Sequence, residues 1–390
     1  MDFNYSDEQT MLIKTARQVG EKYGLDYWRD LDAKKAFPAA IWQAICEAGL
    51  CGIAIPEEYG GSGLGMAELA MAIEALCAAG GGSTLSQIFM CNPIFGGITL
   101  AKYGSPEVKR ALLPQLVSGK ARFAMALTEP DAGSNSLALK TFARAEGNGW
   151  RLNGQKIWIT CVPQATKLLV VARTRKLEDV KRKTDGVSLF MIDVDRAGLT
   201  HTAIEKAGTN TLPSSLVFFD DVRVEGEELV GELDGGFHQL LDTLNTERIV
   251  TTAGLVGTAE LAIGLAVNYA RERKVFANAP IGSYQAIQFP LAEAHIKAEC
   301  ARVMNYKAAT LHDLGKPYGS EANMAKWLAG QAAALATDRA MQTHGGMGFS
   351  KEYHVERLWR DARLFKFAPV SEEMVLNYVA QHDLGMPRSY

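Results

Sequence analysis

Leu127-Thr128-Glu129-Pro130-Asp131-Ala132-Gly133-Ser134-Asn135 and Leu152-Asn153-Gly154-Gln155-Lys156-Ile157-Trp158-Ile159-Thr160 are the two halves of the segment on which the reading of this chain turns. The first half is a loop by composition: Pro130 removes a backbone donor, and Gly133 lets the backbone approach another group closely. Thr128 and Ser134 add hydroxyls, and loop amides can face an anion. The second half is predicted as strand, tight turn and strand, with Asn153-Gly154 as a two-residue hairpin. Trp158 and Thr160, two apart on a strand, then share a face. An indole beside a hydroxyl suits a planar heteroaromatic ring with an electron-accepting nitrogen. The same residues also fit a surface loop and an ordinary hairpin with a core tryptophan.

Outward from this segment, the bulk properties narrow the class. A chain of 390 residues is long enough for two or three domains and a large core. Its apolar content is ordinary for a globular protein, and no apolar run is expected to span a bilayer, so no membrane insertion is expected. The start, Met1-Asp2-Phe3-Asn4, is acidic and polar, unlike a signal or transit peptide, and a cytoplasmic location follows as the expectation. A net charge of -3 makes no electrostatic case for nucleic acid or an acidic membrane surface. The basic run Lys181-Arg182-Lys183 is read as solvated loop. Cys46, Cys51, Cys77, Cys91, Cys161 and Cys300 are scattered, with no metal-ligand spacing, and are read as reduced thiols.

Texture divides the chain into three parts: residues 1-122 helical, 123-233 β, and 234-390 helical again. In the first part, Ser6-Asp7-Glu8-Gln9 is a helix start with a capping box. Phe37-Pro38 precedes a second helix with Ile41, Ile45 and Cys46 on one stripe. Met66 to Ala79 is a mostly buried helix stopped by Gly80-Gly81-Gly82, and Pro106 to Val117 is another. In the second part, short runs at Leu168-Ala172, Val187-Val194 and Leu216-Phe219 predict an antiparallel sheet or small barrel, with 176–185 a charged loop. In the third, helical patterns run over Phe237 to Glu272, Tyr284 to Leu314, Ser320 to Thr343, Glu352 to Lys366 and Met374 to His382.

The loop and strand quoted above resemble the flavin-binding signature of acyl-CoA dehydrogenases, of form T-E-P-x-A-G-S-D and N-G-x-K-x-W-I-T, with Asn135 in place of the usual Asp. Further matching motifs are Phe3-Asn4-Tyr5-Ser6-Asp7-Glu8-Gln9, Ile55-Pro56-Glu57-Glu58-Tyr59-Gly60-Gly61, Gln342-Thr343-His344-Gly345-Gly346-Met347-Gly348-Phe349 and Arg360-Asp361-Ala362-Arg363. The resemblance covers essentially the whole chain. It implies an α+β fold: an N-terminal α-helical domain, a middle antiparallel β-barrel domain and a C-terminal four-helix bundle, with FAD and thioester between sheet and bundle. It also implies a homotetramer built as a dimer of dimers, an acyl-CoA substrate and an electron-transfer flavoprotein as electron acceptor.

Carried over residue by residue, Thr128 resembles the threonine bonding the pyrimidine side of the flavin. Ser134 resembles the serine near the flavin pyrophosphate, at a position that also counts among the substrate contacts. Trp158 resembles the indole by the dimethylbenzene side, and Thr160 the hydroxyl at N5. Arg273, Phe276, Gln342, Gly345 and Gly346 resemble the set that holds the ADP half from a second subunit, and Ser371 and Glu373 fall where relatives also contact that half. Arg273-Lys274-Val275-Phe276-Ala277-Asn278-Ala279-Pro280-Ile281 lacks the glycine of the family's R-x-x-F-G and is one residue longer. On physical grounds alone, Arg273 fits equally well as a solvated arginine complementing a helix dipole.

The reaction implied removes an α-proton from an acyl thioester while the β-hydride moves to flavin N5, which needs a carboxylate in a dry pocket. Many relatives place it eight residues beyond the Asp of R-D-A-K, and that count from Asp361 reaches Pro369. Proline is no base, and it lacks the N–H that relatives aim at the thioester carbonyl beside a flavin ribityl hydroxyl. One such donor is worth about 3 kcal/mol, on the order of a hundredfold in rate. Isovaleryl-type and long-chain-type relatives place the base on the first helix of the bundle, just before an Arg. Leu244-Asn245-Thr246-Glu247-Arg248-Ile249 puts Glu247 there, with Arg248 resembling the neighbour at the thioester or coenzyme A end. Read without the resemblance, Glu247 is an exposed helix acid. Glu372 and Glu373 are the rival carboxylates. In Lys206-Ala207-Gly208-Thr209-Asn210, Asn210 stands where many relatives have Arg. The competing functions are a flavin oxidase or monooxygenase, a non-catalytic flavoprotein that binds nucleic acid, and a scaffold with a dead site.

Overall fold

The structure of the protein, a computed structural model, describes residues 4–276 and 278–389. Met1, Asp2, Phe3 of the N-terminal motif, Ala277 of the 273–281 turn and Tyr390 lie outside the described residues. The first helix, α1 (Asp7–Glu21), begins with the reciprocal cap its sequence predicts: Ser6 Oγ accepts from Gln9 N, and Gln9 Oε1 from Ser6 N, both at 3.1 Å. A helix absent from the sequence reading, α2 (Leu25–Lys34), precedes α3 (Ala39–Glu47), so the helix after Pro38 is the third. Its ten residues carry a single buried aromatic, Trp28, and half their positions are charged, which leaves little apolar period to detect.

Helix α4 (Met66–Leu76) is buried on most sides, as expected. Asp313 caps it from across the molecule, its oxygens accepting from Met66 N at 2.8 Å and Ala67 N at 3.0 Å. The three glycines break the helix as expected, with Gly80 at φ 141° and Gly82 at φ 61°. A wide turn at Cys77–Gly81 leads across this kink to a new helix, α5 (Ser83–Phe89), which widens over Met90–Ile98 around Pro93. Two short helices, α6 (Thr99–Tyr103) and α7 (Pro106–Val117), complete the first helical part.

The strands are β1 (Phe123–Ala126), β2 (Phe142–Glu146), β3 (Gly149–Thr160), β4 (Lys167–Arg173), β5 (Val187–Asp193), β6 (Leu199–Ile204), β7 (Ser214–Val224) and β8 (Leu229–Val230). They form one sheet in the order β6-β7-β3-β2-β4-β5-β8, with β1 on β4. The sheet is antiparallel in most of its pairings, as expected, but not in all. β1 runs parallel to β4 from Phe123↔Lys167 to Ala126↔Val170, and β2 meets the same strand in parallel at Phe142↔Arg173. The chain leaves β1, swings out through the 127–141 loop and rejoins the same edge without reversing, so the loop sets a parallel pairing. β4 and β5 are buried on both faces. Leu169, Val171, Leu189 and Met191 pack with the N-terminal helices, while Leu168, Val170, Phe190 and Ile192 pack inside the sheet domain.

The hairpin is also corrected. β2 and β3 turn at Gly147-Asn148, closing on Glu146↔Gly149, and β3 runs straight through Asn153-Gly154. Gly154 (φ 146°) sits at a register shift against β7, where an added Cβ would lie 2.6 Å from Thr141 Oγ1. The Asn-Gly pair is therefore a bulge, which spends the same conformational freedom on bending a strand.

After the sheet, α8 (Gly236–Glu272) runs 37 residues. A two-strand ribbon, β9 (Lys274–Val275) and β10 (Ala279–Pro280), leads to α9 (Gln285–Asp313), α10 (Gly319–His344), α11 (Val355–Arg363) and α12 (Glu372–His382). Alanines line the seam between the three long helices, including Ala259, Ala262, Ala266, Ala294, Ala298, Ala332 and Ala336, which lets the backbones pack closely. α8 also lies tight against the first helical part: a Cβ on Gly257 would sit 2.4 Å from Glu74 O, and one on Gly254 2.2 Å from Ser86 Cβ. By length and composition α8 is apolar enough to cross a membrane, contrary to expectation. Its most apolar window is 72% buried inside the protein, so the apolar residues serve the core. All six cysteines are free.

Candidate active site

The loop that opens the site is pinned to β3 by two residues whose roles the sequence reading missed. Lys156 and Glu129 form a buried ion pair at 2.9 Å, and Lys156 Nζ also donates to Leu127 O at 2.8 Å. Ile157 N donates to Thr128 O at 2.9 Å, while Glu129 accepts from Lys140 N at 2.6 Å and Thr141 N at 2.9 Å. Burial pulls the Lys156 ammonium down to about 8, with Glu129 acting in the opposite sense. The signal was present as the charges of Glu129 and Lys156, one in each quoted stretch, with Asp131 beside the first.

This anchoring turns specific groups outward. β3 breaks register between Lys156 and Ile159, and Trp158 takes a left-handed φ of 63° at that break. Trp158 is 53% exposed and Thr160 half-buried, on either side of the buried Ile159. Thr128 is half-buried and Ser134 exposed, and no hydrogen bond engages the hydroxyls of Thr128, Ser134 or Thr160 among the described residues. A Cβ on Gly133 would meet nothing within 4 Å. An upturned indole, three unengaged hydroxyls and an open loop fit a flat heteroaromatic cofactor with a phosphate tail, and FAD is such a group.

The second set lies on the far ends of the bundle helices. Arg273 is exposed at the C-terminal end of α8, and Phe276, 94% exposed, sits in the β9–β10 turn at φ 49°. Gln342 lies in the last turn of α10, and Gly345 and Gly346 follow the helix, each with open space where a Cβ would stand. Phe349 beside them is 83% exposed. Within one chain these residues belong to the bundle and Thr128, Ser134, Trp158 and Thr160 to the sheet domain.

The carboxylate is inside. Glu247 is 4% exposed, against the exposed helix acid that sequence alone allowed. Its direction follows from its neighbours on α8: Thr243 Oγ1 lies 3.1 Å from Thr99 Oγ1, and Thr251 Oγ1 lies 4.0 Å from Met90 Sδ. Glu247 stands four residues from each, on the same helix face, and so looks onto the π-helical stretch 90–98. No hydrogen bond engages its carboxylate among the described residues. Burial pushes its carboxyl up to about 8, while Arg248 and Lys326 pull it down. Arg248 donates to Asn245 Oδ1, and its Nε has no partner among the described residues. Tyr318 and Tyr378 face it.

Pro369 is exposed in the segment between α11 and α12, after a cis Ala368–Pro369 bond. Ser371 caps α12, its Oγ accepting from Met374 N at 3.2 Å. Glu373 is exposed in the first turn of that helix, whereas Glu372 is buried and paired to Lys366 at 2.6 Å and Gln331 at 2.8 Å. The 206–210 segment docks the sheet on the bundle: Lys206 Nζ donates to Thr209 Oγ1 at 2.9 Å, Thr209 N to Asp361 Oδ1, and Arg360 Nη1 to Ala207 O at 3.2 Å. Nothing in these contacts explains Asn210.

A sheet that presents an indole and hydroxyls, beside a helix bundle holding a dry carboxylate, is the layout of a flavin-dependent oxidoreductase. Residues 6–120, 124–222 and 234–383 match the N-terminal, middle and C-terminal domains of acyl-CoA dehydrogenase, respectively. The acyl-CoA dehydrogenase FadE12 of Mycobacterium tuberculosis is 40% identical over 390 residues, covering 100% of this chain and 99% of that protein. The structure of butyryl-CoA dehydrogenase from Megasphaera elsdenii superposes with a TM-score of 0.93 at 31% identity, over 99% of this chain and 100% of that one. A prolyl acyl carrier protein oxidase, AnaB, superposes with a TM-score of 0.93 at 27% identity, over 98% and 100%. This chain belongs to the acyl-CoA dehydrogenase family of FAD-dependent oxidoreductases.

Proposed function

We propose that the protein oxidises an acyl-CoA thioester to a trans-2-enoyl-CoA, with Glu247 as the base. The observation that carries this reading is the buried, unbonded carboxylate of Glu247 facing the 90–98 stretch. FAD, when bound, supplies the acceptor for the β-hydride at N5. Glu247 takes the α-proton onto a carboxylate oxygen. A dry setting raises its basicity, and the Arg248 charge limits how far. Thr128, Ser134, Trp158 and Thr160 hold and orient the flavin from the sheet. Arg273, Phe276, Gln342, Gly345 and Gly346 reach the ADP half of a partner's flavin, with Ser371 and Glu373 near the same half, and Arg248 and Ser134 contact substrate. Pro369 offers no N–H to the thioester carbonyl, so a ribityl hydroxyl of bound flavin would carry more of its stabilisation.

The working units are residues 1-122, 123-233 and 234-390. A dimer of dimers is supported by exposed Phe276 and Phe349, and by Phe289, Ile296 and Val303 at seven-residue intervals along α9. Electrons pass on to an electron-transfer flavoprotein, in the cytoplasm. A second reading, an oxidase or a carrier-protein thioester substrate, is favoured by the likeness to the prolyl acyl carrier protein oxidase.

Anaerobic titration of the flavoprotein with acyl-CoAs of graded length and branching tests the reading. Some acyl-CoA bleaches the wild-type flavin, and Glu247→Gln abolishes bleaching while binding persists. Equal bleaching by both forms moves the base elsewhere. With electron-transfer flavoprotein added as acceptor, reoxidation at the same rate with and without air excludes the oxidase.

A further inference from the structure

Lys326, on α10, is fully buried, and nothing in its sequence context marked it. Its Nζ donates to Phe365 O at 2.8 Å and to Val370 O. Those two carbonyls bracket the 365–370 segment that carries Pro369. No carboxylate lies within 4 Å of the Lys326 ammonium among the described residues, and Glu372 is engaged by Lys366 and Gln331. The Lys326 ammonium is thus bonded to peptide carbonyls alone, on the helix packed along α8, and feels the carboxylates of Glu372 and Glu247 only at longer range.

We propose that Lys326 is a positioning residue for proton abstraction: its ammonium ties down the 365–370 segment and holds a fixed positive charge toward Glu247. The proposal rests on the reading of Glu247 as the base. The groups whose charge acts on Glu247 or responds to it are Arg248 on its own helix, Lys326 from α10, which packs along α8, and the Cys91 thiol from the π-helical stretch. Arg248 must sit beside Glu247 because the two are sequence neighbours. Lys326 acts on it from another element, with its ammonium fixed by the carbonyls of Phe365 and Val370, so its charge is held in place by the 365–370 segment. Burial pulls the Lys326 ammonium down to about 8, Glu372 opposes that, and the charge is present at neutral pH. A neutral amide could satisfy the two carbonyls, and burying an ammonium is costly. The charge is therefore what lysine adds at this position.

The test follows flavin reduction in the anaerobic holoenzyme from pH 6 to 9, with whichever of butyryl-CoA, isovaleryl-CoA and palmitoyl-CoA reduces wild type fastest. Lys326→Gln keeps donors for the carbonyls and loses the charge. It moves the midpoint of the rate profile up by about one unit, which is about a tenfold loss at pH 7 that closes at alkaline pH. Lys326→Met moves the midpoint likewise, raises the substrate concentration at half-saturation, and serves if glutamine is not tolerated. Lys326→Arg restores the wild-type midpoint. Neutral variants whose profiles superpose on wild type, or fall by one factor at every pH, overturn the proposal. Glu247→Gln, run alongside, separates the two claims. If it still reduces the flavin, the base assignment fails. If it is dead while Lys326→Gln matches wild type, only the role of Lys326 fails.

Discussion

Glu247→Gln is expected to stabilise the folded protein, by an amount that grows with pH. The carboxyl titrates at 4.5 when solvated and is pushed up to about 8 in the folded protein. Between these values the folded state keeps a proton that the unfolded state has released, so wild-type stability falls as pH rises, until both forms are ionised above 8. The full difference is about 3.5 units, or roughly 5 kcal/mol at about 1.4 kcal/mol per unit. About 3 kcal/mol of it is expressed between pH 5.5 and 8.5. Glutamine has no proton to lose, and other titrating groups are common to both proteins and cancel in the comparison. At about 2.1 cal/mol/K per residue, a 390-residue chain unfolds with about 0.8 kcal/mol/K, so the gap in Tm widens by about 4 °C over that range. Differential scanning calorimetry of both holoproteins at one scan rate and equal FAD content reads this directly. Tm curves that stay parallel from pH 5.5 to 8.5 would refute the buried, proton-holding carboxyl.

Two further outcomes follow. Glu129→Gln strands the Lys156 ammonium in the core under the 127–135 loop. It should cost about 3–5 kcal/mol and lower the FAD content of the purified protein, checked by flavin absorbance and denaturant unfolding, whereas replacing both residues with apolar ones recovers most of the stability. Ile296→Glu places a charge in the exposed stripe of α9. It should yield a smaller species by light scattering coupled to size exclusion, with the secondary structure retained.

The three-part organisation was legible because each part keeps its own period: helical stripes before 120 and after 236, short apolar runs between. What the sequence could not convey was which side chains meet across those parts. Asn153-Gly154 has a turn's composition, but a bulge and a hairpin ask the same freedom of that glycine, and only the partner strand decides between them. α2 escaped because a short, highly charged helix over one buried tryptophan carries almost no periodic signal. Glu247 became a candidate only through resemblance, and its burial was not legible at all. Its burial depends on the 90–98 stretch and α10, neither of which is its neighbour in sequence. Glu129 and Lys156 stood in plain view within the flavin motifs, yet their pairing needs the loop folded onto β3.

The 37 residues of α8 make a rod about 55 Å long at about 1.5 Å per residue. Glu247 lies near its start and Arg273 just past its end, about 40 Å apart by the same rise. In the proposed dimer, one end of the rod serves its own subunit's chemistry and the other grips the neighbour's flavin. Chains damaged at opposite ends should therefore complement one another. Mixed from Glu247→Gln and Arg273→Ala subunits, a dimer gathers both lesions in one site and leaves the other wholly intact. Each parent is impaired alone, while the hybrid regains half the sites.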